Sequence, residues 1–204
     1  TVRNITVERF GNNIDVSGAK DVTLRNITTA NASIRSGIST SSTRGLQIKN
    51  VIASNNIDYG IRMSNVSNVT VNNSVTRSNS QDNIRFDNVK NATIMSISTA
   101  NSAFGSGIYL NTSRNIAIRH TTASGNDESG VYLGGTKSAT LQNLSLINNY
   151  DGVDFNQYTS SDLDRVVNST GNKLINSSIS KSEDSSVSLV NSQDNLIRGN
   201  QISD

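Results

Sequence analysis

One polar position recurs along the whole chain at intervals of about 23 residues. Asparagine or a substitute fills it at Asn4, Asn26, Asn50, Asn73, Ser96, His120, Asn143, Asn176 and Asn200. A chain that repeats one residue type at this interval returns to the same place in every turn, which is typical of a solenoid. Because amides stacked in successive turns can hydrogen-bond to one another, these residues are predicted to form a ladder.

Apolar residues follow the same period in short alternating runs. A first strand is predicted to start at Ile14, Ile38, Ile61, Ile84, Ile108, Val131, Val153 and Val187, with a second inward residue two positions later in most turns. Two further alternating pairs flank the asparagine position, and no segment has helical spacing. The pattern predicts an all-β fold, a single-stranded right-handed parallel β-helix of about eight coils of 22–24 residues, with three strands per coil and a single domain over residues 1–204.

Two kinds of turn residue share the period. Glycines stand just before the first strand, at Gly60, Gly107, Gly130 and Gly152, where we expect a tight turn with positive φ. A second polar turn column is predicted at Asn31, Asn55, Asn101 and Asn148.

Composition excludes several classes of protein. The chain has no cysteine, so neither a disulfide scaffold nor a thiolate metal site is expected, and no apolar run is long enough to cross a membrane. The net charge is only +2, the lysines and arginines look scattered, and aromatic residues are few, so nucleic acid is not an expected partner. Several ladder asparagines lie in Asn-X-Ser/Thr triplets, where a glycan would break the stack. We therefore expect a secreted or cell-surface protein of bacterial or phage origin.

The outward position of the first strand carries the most informative side chains. In successive turns it holds Asp15, Ser39, Arg62, Arg85, Tyr109, Tyr132, Asp154 and Ser188. Sugar rings stack on aromatic faces and guanidinium groups bind carboxylates, so this column predicts a groove for an acidic polysaccharide in which Tyr109 and Tyr132 stack sugars. The predicted substrate-binding residues are Arg85, Tyr109, Tyr132 and Asp154. The alternative is a solvated sheet on which neighbouring tyrosines pair for stability.

Turn residues beside this column suggest catalytic chemistry. Tyr59 would lie one coil from Asp82 and close to Arg62 and Arg85, and neighbouring cations would lower the pKa of its phenol, as a general base requires. Asp82 and Asp87 flank the next strand, and Asp127, Glu128 and Asp151 follow in later turns. The only histidine, His120, occupies a ladder position and is expected to be structural. An insertion within 157–171, just after a first strand, would form a wall at one end of the column.

Two turns, GIYLNTSRNIAIRHTTASGN at 107–126 and GVYLGGTKSATLQNLSLINN at 130–149, resemble the pectate-lyase-like β-helix superfamily. The chain is most similar to the catalytic module of mannuronan C5-epimerases. The resemblance implies abstraction of the C5 proton of a uronate after its carboxylate is neutralised. Tyr59-Gly60 matches the epimerase motif, but Arg62 stands where the family has Asp and Ser64 where it has His.

The resemblance supports three of four candidate catalytic residues and leaves other functions open. Tyr59, Asp82 and Asp87 match family positions, and Arg62, which does not match, is the fourth candidate because its guanidinium would neutralise the uronate carboxylate. A calcium-assisted lyase would use the two aspartates as calcium ligands and one of the arginines as base. The non-catalytic alternative is a surface repeat, adhesin or phage tail segment. The chain is expected to be part of a longer protein whose flanking domains or chains cap the open ends.

Overall fold

The chain winds into a solenoid built from β-strands. The structure, a computed structural model, describes residues 1–160 and 165–204, and within those residues it contains strands and turns but no helix. The first twelve strands are β1 Val2–Glu8, β2 Ile14–Ser17, β3 Lys20–Ala30, β4 Ile38–Ser41, β5 Arg44–Ser54, β6 Ile61–Ser64, β7 Ser67–Arg77, β8 Ile84–Asp87, β9 Lys90–Ala100, β10 Ile108–Asn111, β11 Arg114–Arg119 and β12 Thr122–Ser124. The remaining strands are β13 Ser129–Gly134, β14 Thr140–Gln142, β15 Ser145–Ile147, β16 Asp151–Asn156, β17 Tyr158–Ser160, β18 Arg165–Val167, β19 Lys173–Ile175, β20 Ser178–Ser180, β21 Val187–Leu189, β22 Leu196–Arg198 and β23 Gln201–Ser203.

Two parallel sheets run the length of the solenoid. Sheet B contains the predicted first strands in the order β2-β4-β6-β8-β10-β13-β16-β21. Sheet A contains the other strands except β17 and β18, and its main path β1-β3-β5-β7-β9-β11-β14-β19-β22 passes once through each turn. The prediction of an all-β parallel solenoid is confirmed, with nine turns instead of about eight.

The number of strands per turn differs from the prediction in the first half of the chain. The second and third predicted strands merge there into single strands of 11 residues, such as β3 and β5. Each bends at its ladder residue, where Asn26 and Asn50 both have a φ of 53°. One left-handed residue turns the backbone through the corner, and the pairing with neighbouring turns continues on both sides of it.

This left-handed corner explains the asparagine repeat that defines the sequence. Asparagine tolerates positive φ better than other residues with a side chain, and Ser96 and His120 adopt the same conformation with φ of 54° and 49°. The predicted amide ladder is present at the first three positions, where Asn26 donates to Asn4 and Asn50 donates to Asn26, both at 2.9 Å. These side chains are exposed, so the main role of the position is to form the corner.

A second, buried asparagine ladder was not predicted from the sequence. Nδ2 of Asn56 donates to Oδ1 of Asn79 at 2.8 Å, and Asn126 donates to Asn149 in the same way at 2.8 Å. All four residues are buried. They immediately follow the second polar turn column, which has positive φ at Asn55, and they hydrogen-bond turn groups that would otherwise be unsatisfied in the interior.

The glycines before the first strands have a different role from the one expected. None of the four has positive φ. A Cβ on Gly60 would lie 2.6 Å from the carbonyl oxygen of Asn83, and one on Gly107 would lie 2.8 Å from that of Gly130. Glycine is therefore required because successive coils approach too closely for a side chain.

The core fixes the direction of every side chain on sheet B. Ile84 and Phe86 of β8 are fully buried, and Arg85 between them points outward. The insertion forms an antiparallel hairpin of β17 and β18, although residues 161–164 of the predicted 157–171 segment lie outside the described residues.

Candidate functional site

The outer face of sheet B, called here the strand-one face, carries the predicted column in register. Arg62 pairs with Arg85, Arg85 with Tyr109, Tyr109 with Tyr132, and Tyr132 with Asp154. Ser39 precedes this series and Ser188 follows it. Parallel pairing of identical positions thus brings together residues that are about 23 positions apart in sequence.

The aromatic side chains of this column stack on each other. The rings of Tyr109 and Tyr132 have centroids 4.6 Å apart and an interplanar angle of 10°. The guanidinium of Arg85 lies 4.3 Å from the Tyr109 centroid, on the side of the preceding coil. Both faces of Tyr109 are therefore covered, and the expectation that a sugar stacks on this ring is wrong. Ring edges and phenol oxygens remain to contact a ligand.

The guanidinium of Arg85 is hydrogen-bonded to two aspartates and is therefore not free to bind a ligand. Its Nε lies 3.2 and 3.0 Å from the two carboxylate oxygens of Asp87, and its Nη1 lies 3.1 Å from Oδ2 of Asp82. Burial by itself would lower the pKa of Arg85, but the hydrogen bond and charge of Asp87 outweigh it, and the pKa is raised above its ordinary value. Arg85 is therefore a fixed positive charge already matched by carboxylates.

Arg62 is the more accessible guanidinium of the strand-one face. Its side chain is 42% exposed, and its Nε lies 3.7 Å from Oδ2 of Asp87, too far for a hydrogen bond. The same Nε is buried and has no hydrogen-bond partner among the described residues. A carboxylate ligand would therefore bind the exposed part of the guanidinium and not the Nε, since carboxylate oxygens form strong hydrogen bonds with guanidinium N–H groups.

Tyr59 lies where the sequence predicted, but its acidity differs from the expectation. The guanidinium carbons of Arg62 and Arg85 are each 5.4 Å from its ring centroid. Burial nevertheless raises the pKa of Tyr59, outweighing the lowering by Arg85 and Arg62, and Asp82 adds to the increase. Because burial outweighs the effect of the two arginines on the pKa, the phenol is neutral at physiological pH and is suited to donate a proton.

Asp82 is the most strongly perturbed carboxyl of the site. It is 3% exposed, and its Oδ1 accepts a hydrogen bond of 2.8 Å from the backbone N–H of Ser106. Burial raises its pKa to about 6 despite that hydrogen bond and the charge of Arg85. Ser106 also donates through its hydroxyl to Glu128 at 3.4 Å, and burial raises the pKa of Glu128 as well. The acidic turn residues of neighbouring coils are thus linked through a serine that the sequence did not single out.

Asp154 closes the column at the end near the insertion. It is 8% exposed, its Oδ2 accepts a hydrogen bond from Asn156 at 3.4 Å, and its Oδ1 has no partner in the described part of the chain. Burial raises the pKa of Asp154. The hairpin of β17 and β18 lies against the neighbouring coil, since a Cβ on Gly135 would be 2.8 Å from the carbonyl oxygen of Val167.

Gly134 is a further residue of this face that sequence reasoning missed. A Cβ there would lie 2.8 Å from Cε1 of Tyr132, so the tyrosine ring occupies the space above the glycine. The signal was present as a break in the polar column Ser64, Asp87, Asn111, Gly134 and Asn156 at the end of each first strand.

The proposed calcium ligands do not fit a calcium site. The oxygens of Asp82 and Asp87 face the guanidinium of Arg85, which lies between the two carboxylates. Calcium takes six to eight oxygen ligands, and no group of three or more His, Cys, Asp or Glu side chains suited to a metal occurs in residues 1–160 and 165–204.

Comparison with known families identifies the fold family. The model of the family described as "Right handed beta helix region" matches residues 1–149. The chain belongs to this right-handed β-helix family. The predicted handedness is therefore confirmed. No curated protein matches the sequence.

Solved structures of similar fold are much longer than this chain. The periplasmic alginate epimerase AlgG matches with a TM-score of 0.81 and 14% identity over 96% of this chain and 49% of AlgG. The A-module of the Azotobacter vinelandii mannuronan C-5 epimerase AlgE6 matches with a TM-score of 0.78 and 13% identity over 96% of this chain and 56% of the module. Pectate lyase Pel9A matches with a TM-score of 0.59 and 10% identity, covering 90% of this chain and 54% of the lyase.

These matches confirm the predicted resemblance to the pectate-lyase-like superfamily and to mannuronan epimerases at the level of fold. The chain spans about half the length of each of the three. At identities this low, the likeness concerns the fold alone. Among the described residues, no helix is long and apolar enough to span a membrane.

Proposed function

We propose that the strand-one face binds an acidic, uronate-containing polysaccharide whose chain lies along the solenoid axis. The observation that carries the proposal is the in-register column of guanidinium and phenol groups from Arg62 to Tyr132. One coil advances by about 4.8 Å, which is comparable to one sugar unit, so a sugar chain can meet equivalent side chains at successive units. The fold likeness to alginate epimerases and a pectate lyase supports this class of ligand.

Each residue of the column has a separate role in the proposal. Arg62 contacts a sugar carboxylate through the exposed part of its guanidinium, because its side chain is 42% exposed and its nearest carboxylate oxygen, Oδ2 of Asp87, is 3.7 Å away. Tyr109 and Tyr132 present phenol oxygens and ring edges to sugar hydroxyls. Arg85 fixes the tyrosine stack from one end, and Asp154 borders the track at the other.

The binding test uses a short acidic oligosaccharide and isothermal titration calorimetry. We expect a hexamer of mannuronate to bind the native protein and to bind Arg62→Ala at least tenfold more weakly, because a charge-assisted hydrogen bond contributes about 1.5–3 kcal/mol. Arg77→Ala removes an exposed cation from sheet A and is the matched control. Equal affinity of Arg62→Ala and the native protein would contradict the role assigned to Arg62.

The second function we propose is proton transfer at C5 of the bound uronate, leading to epimerisation or β-elimination. It is favoured by the Tyr59 phenol, which lies beside the guanidinium groups of Arg62 and Arg85. A raised pKa keeps this phenol protonated, so Tyr59 would act as the proton donor after a solvent base has removed the C5 proton. The phenol would give its proton to C5 from the opposite face in epimerisation, or to the leaving glycosidic oxygen in β-elimination, and water would then reprotonate the phenolate. Asp82 and Asp87 would hold Arg85 in place, and Arg62 would neutralise the carboxylate.

The catalytic test follows C5 proton exchange into D2O and the absorbance of unsaturated products with polymannuronate, alginate and polygalacturonate. Tyr59→Phe removes the hydroxyl and keeps the ring, so it should abolish exchange while oligosaccharide binding persists. Binding without any turnover would leave a binding module. Absence of both binding and turnover would favour a structural surface repeat, adhesin or phage tail segment.

We also propose a location outside the cytoplasm, as a secreted or cell-surface protein of bacterial or phage origin, which the fold likeness to periplasmic AlgG supports. Flanking domains or chains would cover the solenoid ends. Ile202 is 52% exposed, whereas Ile179, its partner one turn earlier, is fully buried. The isolated chain should then self-associate, and Ile202→Lys should reduce the association seen in sedimentation velocity.

A further inference from the structure

A second charged surface lies on sheet A, away from the strand-one face. The first limb of this sheet comprises the equivalent segments 20–25, 44–49, 67–72, 90–95, 114–119 and 137–142, called here the basic limb. These segments hold eight lysines and arginines and one carboxylate, Asp21. The expectation that cations are scattered is wrong for this limb, because the coil register gathers residues that are distant in sequence.

Five of these cations stand in one row along the solenoid axis, called here the basic ridge. Its residues are Lys20, Arg44, Lys90, Arg114 and Lys137, and Ser67 fills the remaining coil between Arg44 and Lys90. Strand pairing joins Lys20 to Arg44, Arg44 to Ser67 and Ser67 to Lys90. It continues from Lys90 to Arg114 and, through an isolated bridge, from Arg114 to Lys137. Neighbouring coils lie about 4.8 Å apart, so like charges stand at that interval in five of six coils, with one gap at Ser67.

The charges of the ridge are accessible and not neutralised by the protein. Four of the five side chains are exposed, and Lys90 is half-buried. All ion pairs between described residues belong to Arg62 and Arg85 on the strand-one face. A row of like charges at this spacing is self-repelling, and an external polyanion would remove that repulsion.

Hydrogen-bonding groups adjoin the row. Asn115 donates to Asn91 at 3.1 Å, and Asn91 donates to Asn68 at 3.3 Å, beside Lys90 and Arg114. These asparagines line one surface groove together with three of the ridge cations, Arg44, Lys90 and Arg114. A second set of cations, Arg25, Lys49 and Arg119, lies at the other edge of the limb, with Thr23, Gln47, Thr70 and Thr93 between the two edges.

We propose that the basic limb binds a linear anionic polysaccharide along the solenoid axis, with the ridge cations on its carboxylate or sulfate groups. The spacing of the ridge matches a polymer with one anionic group per sugar, and the amides and hydroxyls suit sugar hydroxyls. The basic limb contains no Phe, Tyr or Trp on which nucleic-acid bases could stack, so a polysaccharide is favoured over single-stranded nucleic acid. This site is separate from the strand-one face and does not depend on the function proposed for that face.

The test compares two charge-reversal variants of equal net charge. Lys90→Glu with Arg114→Glu disrupts the ridge, whereas Arg35→Glu with Arg77→Glu changes two exposed cations outside the basic limb. Long polygalacturonate is the probe, and binding is measured by fluorescence anisotropy over a range of salt concentrations. We expect the ridge variant to lose affinity at least tenfold and the salt dependence of log K to fall by roughly two, because about one counterion is released per cation in contact. The control variant should change affinity less than threefold.

Neutral substitutions and a nucleic-acid probe distinguish a polysaccharide site from a general polyanion surface. Lys90→Gln with Arg114→Gln should lose part of the affinity, and circular dichroism verifies that each variant is folded. Equal losses in the ridge and control variants, or no binding of polygalacturonate at low salt, would overturn the proposal. Tighter binding of a single-stranded oligodeoxynucleotide than of polygalacturonate would also overturn it, in favour of a nucleic-acid surface. The ridge variant should lose the same affinity for polygalacturonate in an Arg62→Ala background, and with Arg62 intact it should still bind a mannuronate hexamer at the strand-one face, so failure of either site can be recognised separately.

Discussion

The buried carboxyl of Asp82 should make the stability of the solenoid depend on pH. Its pKa of about 6 in the folded protein lies above the ordinary value of 3.8, with burial as the main cause. The folded state therefore binds more protons than the unfolded state between these two values, so the free energy of unfolding falls as pH rises through this range. The contribution is fully present below the lower value and is lost above the upper one. A displacement of this size corresponds to about 3 kcal/mol.

Asp82→Asn removes the titration and keeps the shape. An asparagine oxygen can still accept the hydrogen bond from Ser106, and Arg85 keeps its contacts with Asp87. The attraction between ionised Asp82 and Arg85 is already included in the folded-state pKa of Asp82, so its loss in the variant adds no separate pH-dependent contribution. The native protein should thus lose about 3 kcal/mol of stability relative to the variant as the pH rises from about 3 to about 7.

Urea denaturation followed by circular dichroism at a series of pH values measures this difference. Asp15→Asn, at an exposed position on the same sheet, controls for the loss of one carboxylate. Other buried acids titrate in both proteins and largely cancel in the comparison. If the native protein keeps or gains stability relative to Asp82→Asn as the pH rises, the hydrogen bond from Ser106 and the ion pair with Arg85 offset or outweigh burial, and the reasoning about this carboxyl is refuted.

Four further substitutions test the core packing, the buried asparagine ladder, the exposed corner and the strand-one face. Phe86→Ala empties a fully buried position and should cost about 3–5 kcal/mol in urea unfolding; a cost below about 1 kcal/mol would contradict the core assignment. Asn79→Ala leaves buried amide donors unsatisfied and should cost about 3 kcal/mol, whereas Asn73→Gly, at an exposed corner with φ of 47°, should cost less than about 1 kcal/mol. Gly134→Val should displace the Tyr132 ring and weaken mannuronate-hexamer binding severalfold in calorimetry, and unchanged affinity would exclude that ring from the contact surface.

Most of the fold could be predicted from the repeat in the sequence. Ile84 and Phe86 alternate with Arg85, and the same alternation recurs in every turn, so strand direction and inward positions follow from local sequence. The ladder position was also recognisable from the sequence, but the sequence did not show why asparagine is favoured there. Sequence shows that asparagine recurs at Asn26 and Asn50, and only the backbone shows that a left-handed corner is what these residues form.

The strand-one face was predictable as a column and not as a set of interactions. The position of each residue within the repeat is enough to place Arg62, Arg85, Tyr109 and Tyr132 in one line. Position within the repeat does not show that Arg85 is bound by Asp82 and Asp87, because these contacts depend on rotamers and on side chains of adjacent columns. The acidity of Tyr59 was predicted in the wrong direction for the same reason, since burial is a property of the assembled surface.

By itself, the sequence determined the repeat length, the inward and outward faces, and which residues share a column, because a solenoid turns each of these into a matter of spacing. The tertiary structure decided which charges neutralise one another and which remain available. Desolvation and ion pairing depend on distances of a few ångströms across columns, and no spacing along the chain encodes them. That is why Arg85, prominent in the sequence, is matched by internal carboxylates, while Lys90 and Arg114, inconspicuous in the sequence, lie in an uncompensated basic row.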